Sequence, residues 1–194
     1  MTAASCRSSW PIVNCRVPAD QKETHIHALR AALGWLELGL PREALDELDR
    51  LPARAQASLE VLDLRWMILA NLKDWVGALH ISSQLIAKAP DRAASWLNHA
   101  YALRRVPDGG LLAAFNVLEP MASKFTDEPT IPYNLACYTC QLQRSEEETM
   151  AWFARALAIG NRAELIAMAL TDSDLTPVRA LVEKLPAPKK LRVR

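Results

Sequence analysis

Along residues 41–53 the apolar positions Ala44, Leu45, Leu48 and Leu51 fall on one face of a helix and the charges on the other. The same pattern returns down the chain at a nearly fixed interval. Ala32, Trp66 and Ala100 stand thirty-four residues apart, as do Trp35, Leu69 and Leu103. A second register joins Ala44 to Ala78, Leu48 to Ser82, Leu51 to Leu85 and Gln56 to Pro90. It continues, slightly stretched, through Ala114, Leu118 and Met121 to Thr149, Phe153 and Ala156. A period of this length, with small residues where two helices must approach closely, predicts stacked helical hairpins. Such a repeat builds a surface, so binding is the default reading and catalysis has to be shown separately.

Local signals divide the pattern into elements. Asp20 can cap a first helix through about Leu38, Gly39 breaks it, and Pro41 opens a second. Helices follow over about 57–71 and 75–89, separated at Lys73 and Asp74 and ended by Pro90. The next hairpin runs from Asp91 to Arg105, turns over 107–110, and continues over 111–125 with Pro120 as a kink. The turn also absorbs a two-residue insertion in the repeat. A fourth pair covers 128–142 and 145–159 and stops at Gly160. A short helix to about Leu170, the loop 171–174 and a last helix from Pro177 to Leu185, capped by Thr176, suit the closing element that a repeat array needs. The expected organisation is a flexible leader (1–19) and a repeat array (20–160, in units of about 25–58, 59–92, 93–126 and 127–160). Capping helices (161–185) and a disordered basic tail (186–194) complete it.

Composition narrows the options. A hydrophobic share of 51% is ample for a core, and a net charge of +1 gives no global field to attract nucleic acid or an anionic membrane. No run of about eighteen apolar residues is available to span a bilayer. The N-terminus has no basic cluster followed by an apolar stretch, so a cytoplasmic location follows by default. The four cysteines read as free thiols rather than a disulfide framework. Cys137 and Cys140 form a CxxC whose sulfurs share one helix face, but no second CxxC accompanies it. His25 and His27 are two apart and make a poor metal pair, while His80 and His99 stand alone inside helices. Asp172 and Asp174 read as a turn before a helix. Neither a phosphate-binding glycine loop nor a nucleophile motif occurs, so no cofactor, metal or catalytic residue is expected.

The residues that carry the period resemble those of the tetratricopeptide repeat (TPR) family over about residues 25–160. Ala32, Trp35, Gly39, Ala44, Leu48 and Leu51 match in the first unit, and Leu62, Trp66, Leu69, Ala78, Leu85 and Pro90 in the second. Trp96, Ala100, Leu103, Gly109, Ala114 and Leu118 carry the third. In the fourth, Leu135, Ala136, Phe153 and Ala156 fit, while Pro132, Thr139 and Thr149 depart from the family pattern. The resemblance implies an all-α, right-handed solenoid of about four antiparallel hairpins whose concave face is lined by the first helix of each pair. It places Leu29, Leu33, Asp63, Met67, Leu97, Tyr101, Tyr133 and Cys137 in that groove. It also gives Asn98 and Asn134 equivalent sites, where an asparagine either bonds the backbone of a ligand or ties adjacent helices together. Arg30 and Leu64 at the corresponding earlier sites depart from the basic clamp of chaperone-tail receptors. The implied function is a non-catalytic interaction module or adaptor that binds a protein or peptide segment. The alternatives are a secretion-type TPR chaperone and a thiol-redox or metal-linked protein using the CxxC.

Overall fold

The computed structural model describes residues 22–185. The predicted leader, the Asp20 cap and the basic tail lie outside that range. The described residues form α-helices and one 3-10 turn, with no strand among them. The chain divides between Ala89 and Pro90 into two compact units.

Unit 1 contains α1 (Lys22–Glu37), α2 (Pro41–Asp49), the single-turn α3 (Ala53–Gln56), α4 (Leu59–Asn71) and α5 (Trp75–Lys88). Helices α1 and α2 pack as one antiparallel pair and α4 and α5 as another. Gly39, at φ +76°, supplies the left-handed residue between α1 and α2 without a Cβ penalty. Lys73 takes the same role at φ 61° one repeat later. Asp74 then accepts the Gly77 amide at 2.9 Å and caps α5. Ala44 and Ala78 are fully buried at equivalent places in the two second helices. The unit's core gathers Ala32, Leu48, Leu51, Val61, Leu64 and Ile68 around the first of them.

Unit 2 contains α6 (Ala93–Leu103), α7 (Leu111–Leu118), α8 (Met121–Lys124), α9 (Thr130–Gln141) and α10 (Glu146–Ile159). Helix α11 (Arg162–Thr171), a 3-10 turn (Ser173–Val178) and α12 (Arg179–Glu183) complete it. The single helix predicted over 111–125 is broken rather than kinked. Pro120 has no N–H to give and crowds the preceding turn, so α7 ends at Leu118 and α8 restarts beyond it. Ser145 caps α10 by accepting the Glu148 amide at 3.1 Å. The last helix is also built differently from expectation. Thr176 does not cap it: Asp172 caps a 3-10 turn, accepting the Asp174 amide at 2.9 Å, the turn runs through Pro177, and α12 then begins at Arg179 with no side-chain cap.

The three tryptophans that match the family pattern differ in burial. Trp66 is buried and Trp96 half-buried, with its indole N–H donated to the Pro90 carbonyl at 2.9 Å. Trp35 remains 36% exposed.

Candidate functional site

The first helices of unit 1 present an open apolar face. Leu33 on α1 and Met67 on α4 hold the same repeat position and are 42% and 36% exposed. Leu29 and Asp63, one turn earlier on the same helices, are half-buried. Polar contacts tie α4 and α3 to their neighbours. The Ser58 hydroxyl accepts the Val61 amide to start α4, and Arg65 reaches across to Asp49 of α2 at 2.6 Å. The Gln56 side-chain amide donates to the Asp49 and Leu51 carbonyls at 2.9 and 2.8 Å, which fixes α3 at the end of α2. These contacts fix α3 and α4, while Leu33 and Met67 keep apolar surface that water covers unfavourably.

The equivalent residues of unit 2 have different surroundings. Leu97, Asn98, Tyr133 and Cys137 are buried, and Tyr101 and Asn134 are half-buried. Tyr101 lies under Arg105, whose guanidinium carbon is 3.6 Å from the ring centroid and which also donates to the Tyr101 carbonyl at 2.8 Å. The Asn134 amide donates to the Thr130 carbonyl of its own helix at 2.8 Å, rather than to a neighbouring helix. The Asn98 side-chain oxygen is buried with no hydrogen-bond partner among the described residues.

Tyr133 and Cys137 are covered by the chain itself. The Tyr133 hydroxyl donates to the Asp172 carboxylate at 3.0 Å, and the Cys137 thiol approaches the same oxygen at 3.6 Å. Arg104, at the end of α6, donates to the Asp174 carboxylate at 3.0 Å, and the Gln141 amide donates to the Asp174 carbonyl at the same distance. Behind these polar contacts Leu175, Val178 and Val182 enter the unit's core. Burial opposes the Arg104 charge, but the adjacent Asp174 carboxylate outweighs it and raises the guanidinium pKa. The guanidinium also lies 5.2 Å from the Tyr138 ring centroid, and burial pushes the Tyr138 phenol up to about 12.

The thiols are chemically quiet. Burial, reinforced by Asp172 and Asp174, pushes the Cys137 thiol well above its ordinary range, so the sulfur stays protonated and donates. Burial also raises Cys140, partly opposed by a hydrogen bond from the Val178 backbone. A low-pKa thiolate, which exchange chemistry needs, is therefore disfavoured at both positions. Ligand atoms of Cys137, Asp172 and Asp174 lie within 4.8 Å of one another. Their charge is answered by Arg104, and their lone pairs by Tyr133, Cys137 and the cap amide, so a cation would have to displace a guanidinium and strip these donors. Burial lowers the pKa of His99, half-buried on α6 and favoured in its neutral form.

The resemblance nominates Leu33 and Met67, which are exposed, but not Arg104, Asp172 or Asp174. Their only sequence signal is a pair of acidic residues two apart beside a terminal helix, far along the chain from the arginine that receives one of them. Among the described residues no helix is long and apolar enough to cross a membrane.

No protein-family model matches the chain, and no curated protein matches it either. Solved structures do. A crystal structure of a thermophilic TPR protein from Thermus thermophilus superimposes with a TM-score of 0.56 at 19% identity, covering 83% of this chain and all of the other. The all-α helical repeat fold read from the sequence is therefore the fold observed, and it is similar to that of a TPR protein.

Proposed function

We propose that the chain is a non-catalytic, cytoplasmic protein-interaction module that takes a partner segment on the first helices of unit 1. One observation carries this reading: Leu33 and Met67 stand exposed at the same repeat position of α1 and α4. Two apolar side chains in register on adjacent helices match a segment with two apolar anchors, and Leu29 and Asp63 extend the same surface by one turn. The similarity to a TPR protein supports a protein partner in general terms and identifies none. Tyr133 and Cys137 act here through the C-terminal segment they already hold, so unit 1 supplies the accessible part of the surface. The raised thiol pKa values tell against the redox alternative.

The test places a photo-crosslinking amino acid at Leu33, at Met67 and, as control, at the exposed Glu43 of α2. The same protein species should be trapped from Leu33 and Met67 but not from Glu43. Calorimetry with that partner should then show Leu33→Ser and Met67→Ser each weakening binding by about tenfold or more. Unchanged affinity in both, with helical content retained, would move the site off this face.

A further inference from the structure

Residues 172–182 lie against α9 and the end of α6 as a bound peptide would. Tyr133, Cys137 and Gln141 are spaced i, i+4, i+8 on α9 and therefore form a single row along it. Tyr133 and Cys137 meet the Asp172 carboxylate, Gln141 meets a main-chain carbonyl, and Arg104 from α6 meets the Asp174 carboxylate at 3.0 Å. Side-chain charge is read at two positions and the backbone at one. Leu175, fully buried, and Val178, 2% exposed, serve as apolar anchors immediately after them. Recognition of alternate side chains together with a main-chain group is how a groove selects a peptide. Packing alone would need only the anchors.

We propose that this face of unit 2 is a site for short acidic peptides of the pattern Asp-x-Asp-Leu-x-x-Val, and that residues 172–182 occupy it in cis. The charge complementarity is local: the guanidinium of Arg104 faces Asp174, while the neutral donors of Tyr133 and Cys137 face Asp172. A tethered occupant acts at an effective concentration of roughly millimolar, so a free peptide making the same contacts does not compete until the segment is released. The site is therefore closed in the intact chain and opens to a partner that displaces or captures residues 172–182. It is independent of the unit 1 face, which contributes none of these donors.

The test uses the full chain carrying Asp172→Ala, Asp174→Ala and Leu175→Ser, together with a fluorescein-labelled peptide of the natural residues 170–185. Fluorescence anisotropy should show the variant binding the peptide about tenfold or more tightly than the unaltered chain does. A peptide with both aspartates changed to asparagine should bind the variant about tenfold more weakly, and Arg104→Ala added to the variant should remove that preference. A folded variant that ignores the peptide, or binds both peptides equally, overturns the proposal. Should the variant lose its helical circular dichroism, recovery of the signal on adding the natural peptide supports the site. No recovery overturns it and leaves the segment as a core element alone.

Discussion

Thr149 occupies the place in α10 that Ala44, Ala78 and Ala114 occupy in the other second helices, and it is 1% exposed. Its hydroxyl is buried without a hydrogen-bond partner among the described residues. Thr139, fully buried on α9, is the opposite case, with its hydroxyl 2.9 Å from both the Leu135 and Ala136 carbonyls. Leaving a polar group desolvated and unpaired costs about 1–3 kcal/mol. Thr149→Val replaces that hydroxyl by a methyl of nearly the same volume, opens no cavity and changes helix propensity little, so it should stabilise by ~1–2 kcal/mol. Thr149→Ala gains the same relief and up to ~0.5 kcal/mol of propensity, but removes a buried methyl worth ~0.8 kcal/mol and leaves a small void. It should fall between no change and ~1 kcal/mol of stabilisation. Urea unfolding followed by circular dichroism reads both variants, and a gain of 1 kcal/mol raises the melting midpoint by about 2–4 °C in a chain of this length. Thr139→Val, which discards satisfied hydrogen bonds, should move the other way by ~0.5–1.5 kcal/mol. A midpoint for Thr149→Val below that of the unaltered chain would mean that the hydroxyl is satisfied, and the argument would fail.

The raised thiol pKa values on α9 predict alkaline sensitivity with a definite sign. Cys137 and Cys140 hold their protons more tightly folded than unfolded, so their contribution is complete below about pH 9 and is lost as pH rises toward the folded values. The slope approaches ~1.4 kcal/mol per pH unit for Cys137, the more strongly shifted of the two. Stability curves between neutral pH and pH about 10 should flatten in a Cys137→Ser, Cys140→Ser variant, and parallel curves would refute the assignment. Replacing the fully buried Ala78 with Leu overfills the α4–α5 crossing and should cost about 1–3 kcal/mol by thermal melting; an unchanged midpoint would contradict the close approach. A Cβ on Gly109 would stand 2.0 Å from the Leu103 carbonyl oxygen, a backbone atom that cannot swing aside. Gly109→Ala should therefore cost about 1–3 kcal/mol by forcing the turn open, and a melting midpoint equal to that of the unaltered chain would refute it.

The helices were legible because their causes are local. Apolar spacing, the break at Lys73 and Asp74 and the left-handed residue at Gly39 each act within a few residues, and the period lines them up. The fate of the predicted groove was not local. Leu33 and Met67 stay open, whereas Tyr133 and Cys137, at positions implied by the same resemblance, lie under a segment that also meets Arg104, seventy residues before Asp174. No period connects those residues, and a terminal segment that packs once has no second copy to reveal it. Asp172 and Asp174 do form a turn before a helix, as their sequence suggests. The same carboxylates are also bound by side chains from two other helices, which a reading of the turn alone does not reach.

The dependence of the unit 2 core on Leu175, Val178 and Val182 also bears on how the protein is made. Chains emerge from the ribosome N-terminus first, at about 5–20 residues per second. The two hairpins of unit 1 can close on each other once α5 is out. The row of Tyr133, Cys137 and Gln141 is synthesised well before the segment that covers it, and it stays uncovered for several seconds while α10 and α11 are extended. During that interval Arg104, Tyr133 and Cys137 have been synthesised but the Asp172 and Asp174 carboxylates that they meet in the folded chain have not. A partner carrying the acidic pattern proposed above would meet the least competition at that moment.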